Sequence, residues 1–389
     1  FTQLIVPEST QKIELGEAVN IENFGNQLIY FKNHTSHVNL KEFSGKYSSK
    51  IKISSSKMLT MPLIYGANIY TIDKKGLVTS TNLETKKANW TYSITSLKGD
   101  ANKATLSIVK EKLVITSDLQ LTILDINTGK EISKRSLDDI VTNQPAEFSN
   151  GLYIQNASNN LIAYNTDTWM PVWIFDTWNE PLSYSVITSP VIASNQIITA
   201  YSSGQLISHD VTTGSEFWQI NLLSDSSEAL GYVPASLTCQ HIQSDKFLYV
   251  SSNSGHLMKI DLSNASIIWK KKYEDITAMT VAGNALFIAN NARQIAAISI
   301  EDGNAIWATR ALDQKDLEKS KKIKPALFTS PVISGGKLYI FNDKSEGYIL
   351  DAYTGQRIKD FKIPEKINSV AIYLDKLYIF DQYNAYTID

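Results

Sequence analysis

The sequence predicts an all-β protein, folded as an eight-bladed β-propeller, from three observations. A nine-residue phrase returns along the chain, strand patterns precede each copy of it, and the two chain ends carry complementary parts of one more copy. A near-constant phrase separated by gaps of variable length is typical of a repeat array whose insertions fall in loops.

The phrase combines a turn with a returning strand. Its first residue is most often Asp or Asn, whose side chain can accept hydrogen bonds from the backbone of a turn. Asp125, Asp210, Asp261 and Asp351 are therefore interpreted as turn formers. Glycine follows four residues later in several copies and suits the positive φ of a hairpin with a bulge. The copies begin at Asn82, Asp125, Asn165, Asp210, Asp261, Ser299 and Asp351.

Five copies end on a tryptophan, eight residues after the first position. An indole is large and mostly apolar and has one N–H to satisfy, so it suits a half-buried seam between neighbouring units. We expect these residues to dock one blade on the next rather than to serve a ligand. They are Trp90, Trp173, Trp218, Trp269 and Trp307.

Alternating apolar residues upstream of each phrase predict further strands. Before the fourth copy these lie at 188–193, 197–201 and 206–210, and a near copy of this stretch spans 329–351. Four short antiparallel strands in about 40–45 residues is the size of one propeller blade.

The chain ends predict how the ring closes. Residues 367–389 carry three strand patterns and stop where the turn and fourth strand should follow, whereas residues 41–53 carry a turn and a strand without partners. The N-terminal strand is therefore expected to complete the last blade, which removes open sheet edges. This divides the chain into an N-terminal extension, 1–40, and one propeller domain, 41–389.

Composition restricts the function. The net charge is −2 and there is no apolar stretch of 18 residues, so neither a nucleic-acid binder nor a membrane span is expected. The one cysteine, Cys239, falls in a strand pattern and is interpreted as a buried small hydrophobe. The missing initiator Met and signal peptide predict that the sequence begins inside a longer precursor.

The repeat resembles the PQQ-like β-propeller family and, within it, the BamB family of outer-membrane assembly factors. The likeness is strongest in "TSPVISGGKLYIFNDKSEGYILDAYTGQRI" and "IYGANIYTIDKKGLVTSTNLETKKANW" and covers roughly residues 41–389. It implies a non-catalytic periplasmic scaffold at the outer membrane. Its implied partner is the barrel-insertion protein BamA, and membrane contact would come only through a lipid anchor that this sequence lacks.

The resemblance also implies a docking segment between the third and fourth blades, here 176–190. The family's contact motif has two apolar residues around a small one, followed by Arg. The matching positions are Leu182, Ser183, Tyr184 and Ser185, so the Arg is absent. The acidic cluster expected in the next connection is also absent from 224–236.

Two other functions remain open. A sensor or glycan-binding propeller would display aromatic residues on its loops, and Trp169 and Trp178 are the candidates. A quinone-dependent dehydrogenase would need carboxylate and amide ligands for calcium, an Asp base and, in many members, a vicinal cysteine pair; the sequence has no such pair. No enzyme activity, cofactor or metal is therefore expected.

Two polar segments are considered as binding sites. His34 and His37 lie three residues apart, so they would point to opposite faces of a strand, and an exposed polar loop is favoured over a metal site. Residues 312–328 hold the chain's one charge run. It is interpreted as a solvated loop, with contact to a partner or an anionic surface as the alternative.

Overall fold

The computed structural model describes residues 4–20, 37–41, 47–94, 103–141, 143–176, 188–201, 204–222, 242–244, 246–252, 254–312, 324–363, 366–367 and 369–388. Within these ranges every regular element is a β-strand, and the strands form eight separate four-stranded sheets. The predicted eight-bladed propeller is confirmed.

The strands are short because each spans only the depth of one blade. The first half comprises β1 (Tyr47–Lys52), β2 (Leu63–Tyr65), β3 (Asn68–Ile72), β4 (Leu77–Asn82), β5 (Ala88–Ser93), β6 (Ala104–Val109), β7 (Lys112–Ser117), β8 (Gln120–Asp125), β9 (Glu131–Ser136), β10 (Ala146–Phe148), β11 (Gly151–Gln155), β12 (Leu161–Asn165), β13 (Pro171–Phe175), β14 (Val191–Ala193), β15 (Gln196–Ala200) and β16 (Gln205–Asp210). The second half comprises β17 (Glu216–Asn221), β18 (Ile242–Ser244), β19 (Phe247–Ser251), β20 (His256–Asp261), β21 (Ser266–Lys272), β22 (Ile276–Ala282), β23 (Ala285–Asn290), β24 (Gln294–Ser299), β25 (Ala305–Arg310), β26 (Val332–Ser334), β27 (Lys337–Asn342), β28 (Glu346–Asp351), β29 (Arg357–Lys362), β30 (Ser369–Tyr373), β31 (Lys376–Phe380) and β32 (Asn384–Ile388).

Blades 1 to 7 each use four consecutive strands, beginning with β2–β5 and ending with β26–β29. All neighbouring strands are antiparallel, for example β14–β15, β15–β16 and β16–β17 of blade 4. The first and third turns of a blade therefore lie at one end, which we call the turn face. The second turn and the connection to the next blade lie at the other end, the connection face.

Blade 8 confirms the predicted closure. Its sheet has the order β1-β32-β31-β30, so a strand from the N-terminal part of the chain completes a blade made from the C-terminus. The pairing is antiparallel and places Lys52 opposite Asn384. At the other end of the pair, the hydroxyl oxygens of Ser49 and Thr387 lie 2.9 Å apart.

The recurring phrase folds as expected into the third turn of each of blades 1 to 7. In the Asp210 copy, Oδ1 accepts hydrogen bonds from the backbone N–H groups of Thr212 and Thr213, each at 2.8 Å. Asp125 and Asp351 are bonded in the same way, which confirms them as turn formers. In the Asp261 copy the Ser263 hydroxyl donates to the carboxylate and is the main reason why the pKa of Asp261 falls to about 2.

The hydrophobic core lies between blades, not within them. The middle strands of each blade are almost wholly buried, and seven apolar clusters join neighbouring blades around the ring. One cluster, for example, packs Leu63 and Tyr70 of blade 1 against Leu113 and Ile115 of blade 2. Both faces of the middle strands are therefore covered by neighbouring blades, whereas outer strands such as β13 and β17 alternate between half-buried and exposed residues.

The described residues before β1, 4–20 and 37–41, lie against the turn face. Ile13 and Leu15 join the apolar cluster of blades 6 and 7. The Glu14 carbonyl accepts the N–H of Asn284 at 3.0 Å. A Cβ atom at Gly283 would lie 1.7 Å from that carbonyl oxygen, so only glycine allows this approach.

His37 corrects one expectation from the sequence. Its side chain is 8% exposed, and the residue forms a parallel bridge with Ile333 of blade 7. The interpretation of His37 as part of an exposed polar loop is therefore wrong, because the backbone here pairs with the ring. His34 lies outside the described residues.

Candidate functional site

The predicted docking segment joins β13 to β14 on the connection face. Its four motif positions, Leu182, Ser183, Tyr184 and Ser185, lie outside the described residues, as do 223–241 in the following connection. Their role in partner binding stays a prediction. The structure does describe the ring on either side of the segment, Asp176 on one side and Thr188 on the other.

Both stems of the docking segment are anchored in the ring. On one side, the Phe175 ring lies 4.3 Å from the imidazole of His209 and 6.2 Å from the ring of Tyr201 in blade 4. On the other side, Thr188 and Ser189 are buried. The segment therefore leaves and re-enters a packed seam between blades 3 and 4.

A buried histidine supports this seam. His209 Nδ1–H donates to the carbonyl oxygen of Gly214 at 3.2 Å, and the Tyr201 hydroxyl donates to Nε2 at 3.3 Å. Because the Gly214 carbonyl can only accept, Nδ1 carries a proton, and in the neutral imidazole Nε2 accepts from the Tyr201 hydroxyl. Burial lowers the pKa of His209 to about 4 and raises the pKa of Tyr201, so both stay neutral near pH 7.

Sequence reasoning assigned His209 no role. Its position in the repeat could have indicated one. His209 directly precedes Asp210, the first residue of a phrase, and at this position other copies carry apolar residues such as Leu124, Ile260 and Leu350. A histidine there replaces an apolar side chain in the seam. It needs two hydrogen-bond partners to be buried at low cost, and Tyr201 and Gly214 of blade 4 supply both.

Each of the five tryptophans makes the same contact with the next blade. The indole N–H donates to the backbone carbonyl of the residue that follows the first position of the next phrase. The distances are 3.1 Å for Trp90 to Ile126, 3.2 Å for Trp173 to Val211, 3.2 Å for Trp218 to Leu262, 3.1 Å for Trp269 to Ile300 and 3.1 Å for Trp307 to Ala352.

Four of these indoles also lie against a turn glycine of the next blade. A Cβ at Gly214 would come within 2.7 Å of the Trp173 ring, and one at Gly355 within 2.4 Å of the Trp307 ring. The same holds for Gly129 under Trp90 and Gly303 under Trp269. Glycine at this position therefore serves both the turn, with φ near +70°, and the close approach of the indole.

At the seam between blades 2 and 3, the tryptophan lies in the turn and the small residue on the outer strand. Blade 2 has Ser133 where five other blades have tryptophan, and blade 3 has Trp169 where four other turns have glycine. Trp169 is 3% exposed and packs in the cluster shared by these two blades. The sequence interpretation of Trp169 as an exposed glycan-binding candidate is therefore wrong. Trp178 lies outside the described residues.

The described residues hold no group of three or more His, Cys, Asp or Glu side chains placed to share a metal ion. Cys239 and most of the 312–328 charge run fall outside the described ranges. Within those ranges, no helix has the length and hydropathy needed to cross a membrane.

Comparison with known proteins identifies the family. A family model described as outer membrane protein assembly factor BamB matches residues 113–309, just over half of the chain. This chain belongs to the BamB family. The matched region runs from blade 2 to blade 6 and includes the seam that carries the predicted docking segment.

Two relatives match most of this BamB-family chain at low sequence identity. An uncharacterised protein of Rickettsia conorii is 29% identical over 349 residues, covering 84% of this chain and 83% of the relative. BamB of Shewanella oneidensis is 21% identical over 287 residues, covering 72% of this chain and 69% of the relative.

Solved structures share the fold. BamB of Moraxella catarrhalis superposes with a TM-score of 0.71 at 15% identity, covering 88% of this chain and 99% of that one. A quinohemoprotein alcohol dehydrogenase of Comamonas testosteroni has a TM-score of 0.68 at 11% identity, covering 91% and 78%. At such identities the likeness concerns the propeller alone.

Proposed function

We propose that this chain is a non-catalytic scaffold of the machinery that assembles outer-membrane β-barrels, acting at the periplasmic face of the outer membrane. Membership of the BamB family is the observation that carries the proposal. Its partner would be the barrel-insertion protein, docked on the connection between blades 3 and 4 through Leu182 and Tyr184.

The outer strands of the two blades that this connection joins support the proposal. Strand β13, which leads into the segment, has no charged residue, and its Val172 and Ile174 side chains are 61% and 51% exposed. Phe217 on the outer strand of blade 4 is 48% exposed. Exposed edge strands are commonly protected by charged residues, so an apolar edge here fits a surface that a partner covers.

The chemistry of docking should be mainly apolar. Ser185 stands where the family motif has Arg, and the following connection lacks the acidic cluster. Without these charges, affinity should depend weakly on ionic strength, because only charge pairs are strongly screened by salt.

The test is a pull-down of the barrel-insertion protein from detergent-solubilised envelope, with this chain as bait. The Leu182→Asp/Tyr184→Asp variant should recover at least about tenfold less partner than the unmodified chain, because central apolar anchors contribute most of the binding energy of an interface. The matched control is Leu374→Asp/Tyr353→Asp, which makes the same substitutions at side chains 52% and 48% exposed on the turn face.

Equal recovery with both double variants would reject the assigned docking segment while keeping the scaffold function. Recovery of no assembly component by the unmodified chain would reject the scaffold function itself.

A further inference from the structure

Residues 4–20 form a strap that lies against the turn face of blade 6. The side chains of Ile13 and Leu15 are buried, whereas those of Lys12 and Glu14, on either side of Ile13, are exposed. This period of two residues is that of an extended peptide that inserts alternate side chains into a surface. The strap therefore contacts the ring in the way that a bound peptide does.

The ring recognises the main chain of the strap. Asn284, in the first turn of blade 6, forms three hydrogen bonds with it. Its Nδ2 donates to the Lys12 carbonyl at 3.0 Å, its Oδ1 accepts the Glu14 N–H at 2.9 Å, and its backbone N–H donates to the Glu14 carbonyl at 3.0 Å. The Ala305 carbonyl accepts two consecutive N–H groups of the strap, at 2.8 and 2.9 Å. Because the strap contributes only backbone atoms to these bonds, another extended sequence can form them.

The first turn of blade 6 is shaped to receive the strap. Its Gly283 leaves room for the Glu14 carbonyl, and the paired residues on either side of the turn, Ala282 and Ala285, are both small. These alanines belong to the apolar cluster that also holds the two buried side chains of the strap. Each of the other seven blades has a larger residue in at least one of the two equivalent positions. In blade order these are Tyr65, Lys112, Phe148, Gln196, Phe247, Lys337 and Lys376.

The sheets of the ring are complete without the strap. Each of the eight has four strands, and the ring closes through β1 and β32, which lie outside residues 4–20. The strap therefore adds no strand to a blade and resembles a peptide ligand that is joined to its own receptor. A covalent tether raises the effective concentration of a ligand at its site to about the millimolar range, so an external peptide has to compete with the strap.

We propose that the first turn of blade 6 forms a binding groove for an extended segment of a partner protein with the pattern apolar-x-apolar-Gly, and that the strap occupies this groove as an internal competitor. Ile13 and Leu15 show which side chains the groove accepts. Gly16 has a φ of +72°, which explains why glycine follows them. The groove lies on the turn face and the proposed docking segment on the connection face, so the inference is independent of the proposed function.

The test is fluorescence anisotropy with a labelled peptide that has the sequence of residues 4–20. The Ile13→Asp/Leu15→Asp chain keeps the groove but weakens the strap that fills it. This variant should therefore bind the peptide at least about tenfold more strongly than the unmodified chain does. The same two substitutions in the peptide should abolish binding, because aspartate carboxylates are costly to bury in an apolar site.

Gly283→Ala and Gly66→Ala form a matched pair of groove variants, each made in the Ile13→Asp/Leu15→Asp chain. Both glycines lie in the first turn of a blade, with φ of +56° and +55°, so alanine causes similar backbone strain at both. A Cβ at Gly283 would meet the Glu14 carbonyl, whereas one at Gly66 meets nothing within 4 Å among the described residues. Gly283→Ala should weaken peptide binding at least about tenfold, because the clash breaks backbone hydrogen bonds, and Gly66→Ala less than about twofold.

A second variant covers failure of the Ile13→Asp/Leu15→Asp chain to fold. Glu14→Pro removes the N–H bonded to Asn284 and weakens the strap without adding a buried charge. Absence of peptide binding by a folded chain with a weakened strap would overturn the proposal, as would equal binding by the unmodified chain or binding that Gly283→Ala leaves unchanged. Dimers of the unmodified chain that Ile13→Asp/Leu15→Asp abolishes would assign the groove to the strap of a second copy and also overturn it.

Discussion

At the scale of single residues, the ring depends on buried polar groups at the seams that all have hydrogen-bond partners. Each seam indole donates its N–H to a carbonyl of the next blade, and His209, covered by Phe175 of blade 3, bonds Gly214 and Tyr201 of its own blade. Such groups are costly to bury unless every donor and acceptor finds a partner. The contribution of these groups to stability is therefore best measured by substituting one partner of each hydrogen bond.

Trp307 offers the clearest measurement, because it is 6% exposed and its N–H reaches Ala352. Trp307→Ala should lower the free energy of unfolding by about 3–5 kcal/mol, through lost burial and the cavity left behind. Trp307→Phe should recover more than half of this, since it restores most of the apolar volume. Urea denaturation measures both, and a loss below about 1 kcal/mol for Trp307→Ala would contradict the seam contact.

His209 predicts a pH dependence of stability. Its folded pKa of about 4 lies below the ordinary value of 6.5, so the unfolded chain binds more protons between these values. The stabilisation is complete above about pH 6.5 and is lost as pH falls towards 4, by roughly 3 kcal/mol for a shift of this size. Denaturant midpoints between pH 4 and 7 should show this slope, and His209→Gln should remove it. An unchanged slope in the variant would assign the effect to other groups.

At the scale of elements, the turn and the outer strand of neighbouring blades are matched to each other. A glycine in the turn accompanies a tryptophan on the preceding blade's outer strand at four seams, whereas the seam between blades 2 and 3 has Ser133 on the strand and Trp169 in the turn. One indole is therefore present at the seam in either arrangement.

This exchange predicts strong coupling between the two positions. Trp169→Gly alone should destabilise the chain by about 3 kcal/mol or more, because it empties a buried aromatic site. Ser133→Trp alone should also destabilise it, by overpacking. The double variant should recover at least half of the combined loss, as measured by urea denaturation in a double-mutant cycle. Additive losses would mean that the two side chains do not share one space.

At the scale of the whole molecule, stability depends on closing the ring between β1 and β32. Ser49 and Thr387 face each other there, 338 residues apart in sequence. A disulfide across this pair would constrain a very long loop of the unfolded chain, typically stabilising by about 2–4 kcal/mol.

The variant Ser49→Cys/Thr387→Cys, made in a Cys239→Ser background, should therefore melt several degrees higher when oxidised than when reduced. The single variant Ser49→Cys in the same background is the control and should show no redox dependence. Failure of the double variant to form the bond would contradict the β1–β32 register.

The sequence by itself determined the repeat, the number of blades and the closing strand. These follow from local rules, because alternation marks a strand and Asp, Thr and Gly mark a turn wherever they occur. Residues 41–53 could be assigned to the blade formed by residues 367–389 because that blade lacked a fourth strand and residues 41–53 held a strand without partners.

Only the tertiary structure decided what each exceptional residue does. Trp169 is buried because the preceding blade lacks its indole, His209 is neutral because blade 3 covers it, and His37 is buried because its backbone pairs with blade 7. Each outcome depends on a side chain or strand from another blade. Local sequence patterns do not record which residues of different blades meet across a seam, because packing between blades brings distant positions together.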